Sequence, residues 1–157
     1  MGTMAFADGT TTLTTTVPDA TYTLKIPADQ SVPFGTTQYF YDDISIEEAN
    51  GFADGKDILV TISHTDFVCD GVSTTIPFKI MTEYTDYGSE VNVELSEVRF
   101  PGVSTGGVDY GHIKKKDSGY TTGYGNVWLS ISSASWGKAL GGTYTATVTY
   151  TSEIVAG

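Results

Sequence analysis

The chain has 157 residues, enough for one domain with a sizeable core. Its 18 Gly, ten Tyr, seven Phe and two Trp suit short strands packed face to face and disfavour a helix-rich architecture. Eight Lys and Arg against nineteen Asp and Glu leave a net charge of −11, which repels phosphate backbones and anionic bilayers, so nucleic acid and charged membrane surfaces are excluded as expected partners.

Met1-Gly-Thr has the form of a cloning scar, and Ala5-Phe6-Ala7 before Asp8 has the A-x-A form of a signal-peptidase site. Residues 1–7 are therefore expected to be scar and signal remnant, and the natural protein to be exported, secreted or held at the cell surface. Residues 8–17 continue as Thr-rich chain in which Leu13 and Val17 are the large apolar positions. Such a segment is too polar for a central strand. It predicts an arm or edge strand, closing on its own domain or pairing with a neighbour through Leu13 and Val17. Residues 18–157 read as one domain.

Pro18-Asp19 predicts a turn, after which Tyr22, Leu24 and Ile26 alternate with polar residues and face inward, until Pro27 ends the strand. Ser31–Gly35 reads as a loop, followed by aromatic Tyr39-Phe-Tyr41 and a strand carrying Ile44 and Ile46. Ile46-Glu-Glu-Ala-Asn50 comes nearest to a helical pattern and is too short for one. Asp54-Gly55 and Asp70-Gly71 are tight-turn signals, the first leading to Ile58, Val60 and Ile62, the second to Ile76, Phe78 and Ile80. Val91, Val93 and Leu95 share one face, whereas Val98 and Phe100 take the other parity, which predicts a bulge or corner near Ser96-Glu97.

From Gly102 to Gly125 the chain holds seven glycines, Tyr110, Tyr120, Tyr124 and the run Lys114-Lys-Lys116. A stretch of this length without a core pattern reads as a flexible hairpin or as a binding loop whose Tyr rings offer flat faces to a sugar or protein. Val127, Leu129 and Ile131 form the next strand, with Trp128 on its other face and Trp136 in the connection that follows. After Gly141-Gly142, every odd position from Thr143 to Thr151 is Thr, and Tyr144, Ala146, Val148 and Tyr150 fill the even ones. One face is dry and the other is hydroxyl, the mark of a strand in an antiparallel sheet. The sum is an all-β sandwich of about eight antiparallel strands with a long Gly/Tyr-rich loop.

Chemistry is harder to find. Gly102-Val-Ser-Thr-Gly106 matches the G-x-S-x-G pattern, but further glycines follow where a nucleophile elbow needs a helix. His64 and His112 are isolated, with His64 continuing the inward parity of Ile58 to Ile62, and the single Cys69 has no base or partner thiol nearby in sequence. Asp42-Asp43, Glu47-Glu48 and Asp54/Asp57 lack the alternating oxygen ligands of a calcium loop. Lys25 and Lys79 fall on polar parity, away from an isopeptide-forming core position. No run approaches the roughly 20 apolar residues that span a bilayer. No enzyme, cofactor, metal or membrane insertion is expected.

Val17-Pro-Asp-Ala-Thr-Tyr-Thr-Leu-Lys-Ile-Pro27 and Ser135-Trp-Gly-Lys-Ala-Leu-Gly-Gly-Thr-Tyr-Thr-Ala-Thr-Val-Thr-Tyr150 resemble the opening and closing strands of exported surface proteins of Gram-positive gut bacteria. The closing strand is also similar to those of fimbrial, pilin-like subunits. The resemblance covers both ends of the domain but not its glycine-rich middle. It implies an immunoglobulin-like sandwich, displayed outside the cell and able to assemble into fibres. Two functions are then expected to compete. One is a structural surface protein that assembles with itself through an exchanged strand. The other is a carbohydrate-binding module or adhesin that contacts surface glycans or proteins through Tyr110, Tyr120 and Tyr124.

Overall fold

A computed structural model describes residues 9–16, 19–42, 44–52, 55–101, 112–114, 119–122 and 126–156. In chain order the elements are β1 (Thr21–Lys25), β2 (Gln38–Tyr41), β3 (Ser45–Asn50), β4 (Lys56–His64), β5 (Lys79–Asp86), β6 (Ser89–Glu94), β7 (Glu97–Pro101), β8 (His112–Lys114), β9 (Tyr120–Thr122), β10 (Val127–Ser130), α1 (Ser133–Lys138) and β11 (Val148–Ala156). They form a four-stranded sheet β2-β10-β5-β6, a five-stranded sheet β11-β4-β7-β8-β9 and a β1-β3 ladder. All the pairings are antiparallel. The fold is an all-β sandwich-like arrangement.

Alternation builds the core. Ile58, Val60 and Ile62 of β4 and Val98 and Phe100 of β7 are buried together with Ile80, Tyr84, Val93, Val127 and Leu129 of the four-stranded sheet. Each large aliphatic side chain taken fully out of water contributes roughly 1.5–3 kcal/mol. Ile44, Ile46 and Ala49, in and beside β3, add to the same cluster. The fully buried Thr82 hydroxyl is satisfied, since Thr82 Oγ1 donates to the Asn126 carbonyl at 3.1 Å.

The parity switch at Ser96-Glu97 is a corner. Leu95 N–H still donates to the Ile80 carbonyl of the first sheet at 2.8 Å, while the Ser96 carbonyl already accepts from Ile62 N–H of the second at 2.8 Å. Two residues thus carry the chain between layers. The turn signals hold as well: Gly55 and Gly71 have positive φ.

Other expectations need correction. Ile26 is not core: β1 ends at Lys25, and Ile26 stands 48% exposed in the segment beyond it. The glycine-rich stretch is not all loop, because β8 and β9 extend the five-stranded sheet from β7. Ile113 of β8 is buried opposite Val98, since one apolar residue between two polar ones suffices when the neighbouring strand is in place. The Trp136 connection forms a six-residue helix, capped where Ser132 Oγ accepts from Ser135 N–H at 3.1 Å. The Thr-alternating segment enters its ladder later than expected, at Val148, after an isolated bridge between Thr145 and Val68.

Candidate functional site: an open groove beside the last strand

β11 is the edge of its sheet and β2 the edge of the other. Where the two edges face each other the sandwich is not filled. A groove of about 510 Å³ runs along Tyr144 to Tyr150, with Phe67, Phe78 and Leu129 among its lining and Tyr41 and the 26–30 segment as further walls. Its presence explains the burial of the dry face of the strand. Tyr144, Ala146, Val148 and Tyr150 pack on the core yet stay half-buried. Tyr41 and Tyr150 bridge the two edges through their hydroxyls at 2.7 Å.

Ahead of β11 the backbone is paired toward Val68 and Thr65. Thr145 exchanges both hydrogen bonds with Val68 at 2.9 Å, and the Thr147 carbonyl accepts from Thr65 N–H at 3.0 Å. Alternation in an antiparallel ladder turns the N–H and C=O of Ala146 and Val148 the other way. There they meet no backbone partner among the described residues. Unpaired strand backbone beside a trough with apolar side chains on its floor is the arrangement that accepts an added strand.

A second hollow of about 470 Å³ opens onto the groove through the shared Val32, Phe67 and Tyr144, and is walled by Phe34, Trp136 and Leu140. Phe34 and Trp136 meet edge-on at 5.3 Å. Trp136 Nε1–H donates to the Thr36 carbonyl at 2.8 Å, and the Tyr144 hydroxyl donates to the Leu140 carbonyl at 2.9 Å while accepting from Leu140 N–H at 3.1 Å. The polar ends of both rings are therefore spent inside the protein, and the hollow presents apolar faces. Gly142, on its rim, has φ +151°, and a Cβ there would stand 2.6 Å from Cys69 Sγ. The close approach of Cys69 thus requires glycine.

The residues singled out for binding are scattered. Leu13 lies in the 9–16 arm, which is exposed throughout and in no strand, and Leu13 itself is 91% exposed. Val17, Tyr110 and Tyr124 lie outside the described residues, as does the Gly102–Gly106 pattern. Tyr120 is on β9, with its hydroxyl donating to Glu97 and its ring under the Arg99 guanidinium, 5.0 Å from the centroid. Arg99 in turn pairs with Asp57 at 3.3 Å. Tyr120 thus belongs to a polar cluster, with its hydroxyl and one ring face engaged. His64 stacks on Phe78 at 4.0 Å at the end of β4, Cys69 is half-buried, and Lys25 and Lys79 are exposed. Val32, Phe34 and Leu140 escape a reading by alternation, because they sit in connections. The available signal was large apolar residues next to a proline or a glycine.

Comparison with protein-family models, with curated proteins and with solved structures returns no match.

Proposed function

We propose that this protein is a non-enzymatic structural subunit of a bacterial cell surface that assembles head to tail, the arm of one copy adding a strand to the groove of the next. The half-filled edge between β11 and β2 carries this reading: a trough of mixed polarity, with Phe67, Phe78 and Leu129 beside Asp29 and Gln30, lies along the Ala146 and Val148 backbone groups that meet no backbone partner among the described residues. The same chain has an exposed arm that lacks a place in its own fold. Extended at about 3.3 Å per residue, the three or four arm residues on one side of Leu13 are enough to run beside Ala146 and Val148. The resemblance of the end strands to surface and pilin-like proteins supports the location.

The start of β1 lies beside β11 just past the groove, and β1 runs from there toward the groove residue Ile26. Tyr22 donates to Ser152 Oγ at 2.8 Å, so the chain leaves β1 toward the arm near the Ser152 end, whereas the groove runs toward Tyr144. A contact between two different surfaces is head-to-tail, and where its rotation does not close a ring it repeats into a filament. Sedimentation velocity and electron microscopy across a concentration series test this. Filaments are expected from the full chain and monomers from a chain beginning at Asp19. A full chain that stays monomeric at millimolar concentration refutes it.

A further inference from the structure

Building on that strand-exchange reading, we propose that the apolar hollow walled by Val32, Phe34, Trp136, Leu140 and Tyr144 is the receptor for Leu13 of a second copy of this chain. The hollow is chemically narrow. The indole N–H of Trp136 and the hydroxyl of Tyr144 are consumed by Thr36 and Leu140, and among the described residues no charged or amide side chain lines it. A sugar or a charged peptide would lose hydrogen bonds on entering, whereas an aliphatic side chain would not. Phe34, 81% exposed, and Leu140 present apolar surface at its mouth.

The occupant follows from the arm. Gly9-Thr-Thr-Thr-Leu-Thr-Thr-Thr16 has one large apolar residue and no charge. On a body of net charge −11, an uncharged segment docks without like-charge repulsion. Its threonines suit a pleated edge, and Leu13 makes its one aliphatic anchor. Docking from a second copy fits the direction of the chain. Ile26 lines the groove while Tyr22 lies at Ser152, so β1 carries the start of its own chain away from the hollow.

Two full-length variants and their mixture decide the matter by sedimentation velocity. Leu13→Asp spoils the arm and spares the hollow; Leu140→Asp does the reverse. Each alone is expected to raise the dissociation constant of assembly roughly 10- to 100-fold. An equimolar mixture is expected to form dimers and stop, because one sound arm meets one sound hollow once. If Leu140→Asp assembles as the unmodified chain does while Leu13→Asp does not, strand exchange stands and this receptor is wrong. If Leu13→Asp also assembles normally, or the unmodified chain never assembles, the exchange reading falls and takes the receptor with it. A concentration-independent loss of thermal stability in monomeric Leu13→Asp would place the arm in its own subunit and overturn the proposal. Near-UV circular dichroism checks that Trp136 stays packed in Leu140→Asp, and Leu140→Ser repeats the test with a smaller change.

Discussion

Val60 and Val148 lie on the same dry face of one sheet, yet a carboxylate would meet different surroundings at the two positions. Val60 is 0% exposed, whereas Val148 borders the groove. Val60→Asp buries an unpaired charge and is expected to cost about 4 kcal/mol or more, enough to prevent folding. Val148→Asp can turn toward water in the groove, and a loss of about 1–2 kcal/mol is expected by chemical denaturation. Equal losses at both positions would mean that the groove is filled in solution. On the outer face, Tyr120 donates to the Glu97 carboxylate, and this bond, followed by burial, raises the phenol above its ordinary value of 10.0. A group whose value is raised on folding adds stability that is complete below the unfolded value and is lost as pH rises through the folded one. The full chain is therefore expected to exceed Glu97→Gln in stability below about pH 10, with the gap shrinking as pH climbs further. Urea unfolding of the two proteins from pH 8 to about 11 measures it.

β11 depends on the turn before it. Gly142 sits at φ +151° with Cys69 Sγ where a Cβ would go. Gly142→Ala is expected to cost roughly 1–3 kcal/mol, through a steric part and a backbone part. Adding Cys69→Ala removes Sγ and with it the steric part, so the double variant should recover only some of the loss. Full recovery would show that the backbone at 142 is unstrained. The β8–β9 extension shows the limit of reading elements by pattern. Ile113 has a polar neighbour on each side and no second alternation to confirm it, so only the edge of β7 discloses a three-residue strand. α1 is similar, with Trp136 in a six-residue turn too short to show a helical period.

For the whole molecule, charge sets the terms of assembly. Copies that each carry −11 repel one another, and the proposed contact itself is uncharged. Salt should therefore tighten assembly. Raising ionic strength from 0.01 to 0.15 M shortens the screening length from about 30 to 8 Å, and light scattering at fixed protein concentration is expected to rise. A fall would point to ion pairs across the interface. The long strands were legible from the sequence, because alternation is local: Ile58, Val60 and Ile62, Ile76, Phe78 and Ile80, and the corner at Ser96 all follow from side chains that change face at every residue. The dry face of Tyr144 to Tyr150 was equally plain. What lies opposite that face was not. Whether an apolar face is covered depends on which strand from elsewhere in the chain stands across from it. Here β2 and β11 are edges of different sheets, and the hollow next to the groove between them joins Val32, Phe34, Trp136 and Tyr144 from three separate stretches. Parity is a property of neighbours along the chain, whereas a groove is a property of edges brought together by folding, so only the tertiary structure could decide it.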